Sequence, residues 1–214
     1  MVFNLSEQNS IANQFILELR DKTLQQDRMR FRKNMERLGE IMAYEVSKKF
    51  QYTTRIVETP LGKSRVNVVK QQPVLITILR AGFPYFQGFI NFFDQAEAGF
   101  VGAYRRESLH EVSIKLEYVS TPYLEGRDVI VIDPMLATGQ SIMDSVKQLL
   151  KRGTPGHIHI VSLVAAPEGI RFLTEHMNVS YSLWTCAIDE NLNEQFYIVP
   201  GLGDAGDLAY GTKL

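Results

Sequence analysis

The run Val129-Ile130-Val131-Ile132-Asp133-Pro134-Met135-Leu136-Ala137-Thr138-Gly139-Gln140-Ser141 holds the residue types and spacings best suited to chemistry. Its aliphatic residues read as a buried strand, and Asp133 stands where that strand meets solvent. Small residues then form a loop that enters a helix through Thr138-Gly139-Gln140-Ser141. Such a loop delivers backbone N–H groups to a helix N-terminus, where the aligned peptide dipoles favour an anion. An acid beside a phosphate cradle suits the hydroxyls and the 5′-phosphate of one ribose phosphate. Taken singly, Asp133 fits a helix-approach cap, and Thr138 and Ser141 fit ordinary caps. Strand, acid and Thr-Gly-x-Ser in succession favour the phosphate seat.

Other motifs carry less. No Gly-Lys-Ser/Thr ending follows the loop, which argues against an ATPase. Gly201-Leu202-Gly203-Asp204-Ala205-Gly206 matches the string G-x-G-x-x-G, but only eight residues follow it. A dinucleotide site needs a βαβ unit and an acid further on, so the match is spurious for that ligand. Bare glycine backbone can still approach a small planar ligand closely; a loose glycine-rich tail is the alternative reading. His110, His157, His159 and His176 lack metal-ligand spacing, and His157 and His159 alternate on a strand, sharing one face in a structural role. Cys186, the one cysteine, lies in the apolar stretch Leu183–Ile188 and reads as a small buried hydrophobe. No Ser/His/Asp or Cys/His arrangement is legible.

The elements that must position these residues follow from hydrophobic periodicity. Residues 10–50 read as a helical arm, with Phe31, Met35, Leu38, Met42 and Val46 at helical spacing. Its basic run Arg28, Arg30, Arg32 and Lys33 reads as a solvated face, with a phosphate site or a subunit contact as alternatives. Thr59-Pro60-Leu61-Gly62 is a turn that closes this region. Strands are expected at Val74–Leu79, Gly99–Tyr104, Val129–Ile132, His157–Val164 and Tyr181–Ile188, alternating with helices at Tyr85–Phe93, Ser141–Arg152 and Glu168–His176. Apolar strands alternating with helices imply an α/β fold, a mostly parallel central sheet flanked by helices. Arg80 and Asp133 follow strand carboxyl ends, the edge where such sheets bind ligands. Between Tyr104 and Asp128, partial alternation over Glu111–Tyr118 suggests a β-hairpin, either a lid or a plain protrusion.

With 214 residues, 45% of them hydrophobic, the chain reads as one domain over 1–214. A formal net charge of −1 argues against nucleic acid and acidic membranes as partners. One cysteine cannot form an internal disulfide, which fits a reducing compartment. The N-terminus lacks a basic head followed by an apolar run, and no segment reaches the ~18 apolar residues of a membrane span. The expectation is a cytoplasmic protein.

Asp133-Pro134-Met135-Leu136-Ala137-Thr138-Gly139 with Ser141, and Ile78-Leu79-Arg80-Ala81-Gly82, resemble the uracil phosphoribosyltransferases, a type I phosphoribosyltransferase family. Tyr197-Ile198-Val199-Pro200-Gly201-Leu202-Gly203-Asp204-Ala205-Gly206-Asp207 is similar to that family's uracil-binding segment. Val164–Gly169, Leu192-Asn193-Glu194, Leu19-Arg20-Asp21-Lys22 and Ala43-Tyr44-Glu45 also match, so the resemblance spans nearly the whole chain.

The resemblance implies the type I phosphoribosyltransferase fold, with a hairpin lid and a C-terminal base-binding segment at about residues 190–214. It implies transfer of ribose 5-phosphate from phosphoribosyl pyrophosphate to N1 of uracil, giving UMP and pyrophosphate in pyrimidine salvage. By motif position, Asp133, Pro134, Met135, Leu136, Ala137, Thr138, Gly139, Gln140 and Ser141 would hold the ribose hydroxyls and the 5′-phosphate. Arg80 and Arg105 would engage the pyrophosphate. Ile198, Gly203 and Ala205 would offer backbone groups to uracil, and Asp204 would face the phosphoribosyl ligand, directly or through Mg²⁺. No acid/base residue is implied; Arg80, Arg105 and Asp133 would act by position and charge. A homodimer or higher assembly is implied as well. Gln140 departs from the family's common second glycine, as do Phe83-Pro84-Tyr85 and Leu208-Ala209-Tyr210 from its usual residues; an ordinary φ is expected at Gln140. The alternatives are transfer to another base, or a nucleotide-sensing RNA regulator without turnover.

Overall fold

A computed structural model describes residues 1–108 and 111–212, with side chains omitted for 103–117. Strands β1 (Val2–Asn4), β4 (Val74–Leu79), β5 (Glu97–Ser108), β6 (Glu111–Ser120), β7 (Asp128–Ile132), β9 (His157–Ala165) and β10 (Tyr181–Ile188) form the main sheet. Their order is β1-β10-β9-β7-β4-β5-β6, and the two-residue β8 (Met135–Leu136) adds to β9. Every pairing is parallel except β5 with β6. Helices cover both faces: α1 (Ala12–Arg20), α2 (Arg28–Ser47) and α3 (Gly82–Phe92) on one, α4 (Gln140–Leu149) and α5 (Pro167–His176) on the other.

The central strands carry apolar residues on both faces because each face meets its own helical layer. Leu75, Ile130, Ile132 and Val161 join the core beneath α2 and α3, whereas Val74, Ile76, Val129, Val131 and Ile160 join the core beneath α4 and α5. Helices α2 and α3 cross closely at Gly39 and Gly88: a Cβ on Gly88 would run into the Glu36 carbonyl and lie 2.7 Å from the Gly39 carbonyl carbon. Among the described residues no helix is long and apolar enough to cross a membrane.

The helical arm over residues 10–50 is divided into two helices. The Asp21 carboxylate accepts the Thr23 and Leu24 N–H groups at 2.8 and 3.0 Å and ends α1, and the Asp27 carboxylate caps α2 through Arg30 N–H at 3.0 Å. Short acids that bond their own following backbone compete with helix continuation, and this local chemistry overrides the apolar spacing. The Thr59–Gly62 turn does not close a helical region; it is the tip of an exposed antiparallel hairpin, β2 (Tyr52–Thr59) and β3 (Gly62–Val69). The segment around Gly201–Gly206 is not a loose tail, since Ala205–Tyr210 forms helix α6. The second hairpin is present as β5–β6, and its strands begin earlier and run longer than expected because β5 continues from the sheet.

The sheet edge opposite the strand carboxyl ends carries a polar cluster. Trp184 Nε1–H donates to Ser182 Oγ at 2.9 Å, while His157 Nε2 and His159 Nδ1 each lie 3.0 Å from the same oxygen. His157 Nδ1 lies 2.7 Å from Ser180 Oγ, and the two imidazole centroids are 4.6 Å apart. The two histidines share a face, as the alternation predicts. A hydroxyl has one proton and two lone pairs. With Trp184 on one lone pair, Ser182 serves both rings only by donating to one and accepting from the other. Protonating both rings would set three N–H groups against two lone pairs, so the pair holds at most one added proton. Burial pushes His159 down from 6.5 to about 3, with the neighbouring His157 adding to the effect. Burial also lowers His157, opposed by Asp128.

A buried neutral histidine binds protons more readily unfolded than folded, so its contribution is complete above pH 6.5 and is lost as pH falls toward 3. Melting temperature should fall between about pH 7 and about pH 5, before the carboxylates titrate. His159→Asn should be less stable near neutrality yet show a shallower slope over that range. An unchanged slope in the variant would remove His159 from the titration.

Candidate active site

Strands β4, β7, β9 and β10 end on one edge, and the loops that follow them meet there. After β7, Asp133 N–H donates to the Val161 carbonyl at 3.1 Å, and Asp133 Oδ1 accepts Met135 N–H at 3.2 Å, which turns the chain out of the sheet. The Pro134 carbonyl accepts from Leu163 and Val164, and β8 pairs Met135 and Leu136 with Val164 and Ala165. The loop is thereby stitched to β9 before the helix begins. Gly139 takes the left-handed conformation with φ 81°, and α4 starts at Gln140 with no side-chain cap. Gly139 has no side chain to cap the first turn, so apart from Gln140 N–H its leading amides are left to seat an anion. Gly169 lies directly beneath: a Cβ there would strike the Ala137 carbonyl. Gln140 has an ordinary helical φ, as expected, because Gly139 takes the unusual one. Its N–H meets Thr138 Oγ1 at 3.3 Å, and its side chain donates to Asp144 at 2.9 Å, away from the loop.

Arg80 follows β4, next to β7, so it shares the edge with Asp133. Its Nη2 donates to Asp207 Oδ1 at 3.2 Å and to the Gly211 carbonyl at 3.4 Å. Gly206 lies against this loop, where a Cβ would come 3.8 Å from Ala81 Cβ and from Arg80 Nη2. The expected base-binding segment and the expected pyrophosphate arginine are thus in contact.

The segment itself starts as a small hairpin, β11 (Asn191–Leu192) with β12 (Ile198–Val199). The Tyr197 and Val199 carbonyls accept from Asn193 and Glu190, so the Ile198 carbonyl faces the other way by strand alternation. The chain then turns through Gly201 (φ 59°) and Gly203 (φ 91°) into α6. Asp204 Oδ1 caps α6 by accepting Asp207 N–H at 2.9 Å. Ile198 and Ala205 are buried as whole residues. A cleft of about 380 Å³ runs between this segment and the arm, lined by Gln25, Arg28, Gly203, Asp204 and Asp207 among others. Asp133 and Arg80 are not among its lining residues.

Side chains with no expected role hold the segment in place. Arg20 forms a two-point ion pair with the buried Asp189 and donates to the Gly201 carbonyl. Gln25 reaches the Leu202 carbonyl at 2.9 Å with its amide nitrogen, and Arg32 Nη1 reaches the Ala209 carbonyl at 2.7 Å. The basic run divides accordingly. Arg32 grips α6; Arg30 pairs with Glu18 at 2.7 Å; Lys33 pairs with Glu36 at 3.0 Å. The Arg30 guanidinium, helped by Asn34 and Gln14, holds the Glu18 carboxyl down at about 2. Asp189 carried a legible signal, an acid just past an apolar strand, the same signal that singled out Asp133. Arg20 carried none beyond its place in a matching string.

The structure therefore brings Arg80, Asp133–Ser141 and the segment Ile198–Asp207 to one edge of the sheet. The side chain of Arg105 lies outside the described residues; its backbone pairs with Ile114 in the β5–β6 hairpin. Buried Cys186, its thiol pushed up to about 12 by burial, sits 4.0 Å from Tyr85 Oη inside the core. It has no part in the edge.

The family model for uracil phosphoribosyltransferase matches residues 6–212. A uracil phosphoribosyltransferase of Porphyromonas gingivalis is 47% identical over 214 residues, covering all of this chain and 99% of that protein. The solved structure of the AQ2163 protein from Aquifex aeolicus superposes with TM-score 0.88 at 30% identity, covering both chains completely. A hypoxanthine phosphoribosyltransferase from Staphylococcus aureus superposes with TM-score 0.51 at 13% identity, over 80% of this chain and 85% of that one, a likeness of fold alone. With a family match over almost its whole length and that identity to a full-length relative, the chain belongs to the uracil phosphoribosyltransferase family.

Proposed function

We propose that this protein transfers the ribose 5-phosphate group of phosphoribosyl pyrophosphate to N1 of uracil, releasing pyrophosphate and forming UMP. The observation that carries the reading is the meeting of two unlike sites on one edge. A helix N-terminus opened by Gly139 behind Asp133 suits the phosphorylated sugar, and a bare-backbone segment in contact with Arg80 suits a planar base. In this reading Asp133 accepts from the ribose hydroxyls, and the backbone of Pro134 to Ser141 holds the 5′-phosphate. Arg80 and Arg105 grip the pyrophosphate, for which a guanidinium fork is matched in charge and shape.

The chemistry asks little of acids and bases. The bond from C1 to pyrophosphate breaks as the bond to uracil N1 forms, through a transition state with positive charge on the sugar, and the N1 proton is released to the departing pyrophosphate or to solvent. Placing the base against C1 and stabilising the departing diphosphate are then the main tasks. The Ile198 carbonyl accepts uracil N3–H, and the Gly203 and Ala205 amides donate to its oxygens. Cytosine would present the wrong partner at both edges, and a site built this way discriminates by roughly 10⁴-fold.

Among the described residues no group of three or more His, Cys, Asp or Glu side chains is arranged to hold a metal. Mg²⁺ bound through substrate phosphates needs only one or two carboxylates, so the donors present fit it. Asp204, with Asp207 one turn on, is the acid placed to hold it. When bound, it neutralises charge on the leaving diphosphate.

We further propose self-association through the β2–β3 hairpin. A two-stranded hairpin is marginal alone in water. This one exposes Ile56 at 64% on β2 and Leu61 at 100% at the tip, and its strands are exposed over nearly their whole length.

The direct test incubates the protein with phosphoribosyl pyrophosphate, Mg²⁺ and a panel of bases, with products resolved by chromatography. UMP is expected; another nucleotide in its place would change the base, and no product would favour a binding protein. Arg80→Ala and Arg105→Ala should each raise KM for phosphoribosyl pyrophosphate or depress kcat by roughly tenfold or more. Wild-type kinetics in either variant would take that arginine out of the site. In sedimentation, the wild type should run as a dimer or larger and Ile56→Glu as a smaller species. A wild-type monomer would refute the hairpin's role.

A further inference from the structure

Gly201 is held on both sides by one ion pair. Arg20 Nη2 lies 2.6 Å from Asp189 Oδ1 and Nη1 lies 2.9 Å from Oδ2. The same Nη1 donates to the Gly201 carbonyl at 3.0 Å, and the same Oδ2 accepts the Gly201 N–H at 2.8 Å. Guanidinium and carboxylate together satisfy both polar groups of the residue, much as a neighbouring strand would. The acid is itself fixed. Asp189 N–H donates to the Ala165 carbonyl at the end of β9, and its side chain is only 5% exposed. Arg20 is the last residue of α1.

The residue so gripped is the one that sets the pitch of the segment. Gly201 adopts φ 59°, and a Cβ there would collide with the Ile198 carbonyl oxygen. That oxygen points away from β11 and is the acceptor assigned above to uracil N3–H. Two residues on, Gly203 begins the turn that delivers the Gly203 and Ala205 amides. A shift at Gly201 therefore moves the acceptor and the donors relative to each other. Because the phosphate loop is tied to β9 through backbone pairs of Leu136 with Ala165 and Ala166, it does not depend on the Arg20–Asp189 pair.

We propose that Arg20 and Asp189 are positioning residues for the nucleobase: their ion pair fixes the spacing between the Ile198 carbonyl and the Gly203 and Ala205 amides. The proposal rests on the reading of Ile198–Ala205 as the uracil-binding segment. Neither residue touches the base. Both act through Gly201.

The pair is tested by steady-state kinetics in each substrate separately. Arg20→Lys keeps the charge but lacks the fork that reaches Asp189 twice and Gly201 as well. Asp189→Asn keeps an acceptor for one partner and turns a donor toward the other. Each should raise KM for uracil by roughly tenfold or more, and KM for phosphoribosyl pyrophosphate by a clearly smaller factor, since only Asp204 between the two amides faces that ligand. The double variant should be no worse than the worse single one, since the two residues act as a unit. An unchanged KM for uracil in a folded variant, or a parallel rise in both KM values, would overturn the proposal. Should Asp189→Asn fail to fold, Arg20→Lys alone decides between these outcomes. Gly203→Ala, run alongside, probes the segment itself: a Cβ there meets only Leu208 Cδ1, at 3.7 Å, but strains a φ of 91°. If Gly203→Ala raises KM for uracil while both clamp variants leave it alone, the clamp fails and the segment stands. If none of the three changes it, the reading of the segment fails.

Discussion

The carboxyl end of β9 is the point from which the site is hung. Its backbone pairs on one side with Met135 and Leu136 and on the other, through Ala165, with Asp189. One strand end therefore carries both the loop that suits a sugar phosphate and the acid that anchors the glycine-rich segment at Gly201. The constraint is that of any parallel sheet: strands run the same way, so the loops that follow them gather on one edge. Here the gathering is made rigid by ladder hydrogen bonds, which sequence substitutions at the surface do not touch.

The arm formed by α1 and α2 works in the opposite sense, through side chains. Arg20, Gln25 and Arg32 capture the Gly201, Leu202 and Ala209 carbonyls, and Arg80 adds Gly211 from the sheet side. A segment rich in glycine has little side-chain surface with which to pack, and its backbone loses much entropy on ordering. Long donors from elsewhere supply the missing attachments. This explains why residues near the start of the chain and residues near its end behave as one structure; of the basic run on α2, Arg32 serves that attachment, while Arg28, Arg30 and Lys33 stay on the exposed face the spacing predicts.

Much of this was legible in the sequence. The five buried strands, the helices between them, and the strand-acid-loop-helix order from Val129 to Ser141 follow from continuous apolar runs, the period of 3.6 and glycine placement. Asp189 could have been found by the same rule that found Asp133. The break between α1 and α2 was not legible from apolar spacing, because Asp21 and Asp27 decide it by bonding nearby amides. The β2–β3 hairpin was missed since neither of its strands carries a buried face, and period-two alternation marks burial on one side. Helix α6 is only six residues long and owes its start to the Asp204 cap.

By itself, the sequence determined the class of fold, the strand-acid-loop-helix order of Val129 to Ser141 and the family, because these depend on local order: which residue follows which along a strand, a turn and a helix. The tertiary structure decided the partners. That Asp207 meets Arg80, that Arg20 and Asp189 close on Gly201, and that the Ile198 carbonyl is turned outward are relations between residues up to 181 positions apart. Hydrogen bonds of that kind are fixed by directions in space, and a linear pattern carries no direction until the sheet has set its strands side by side.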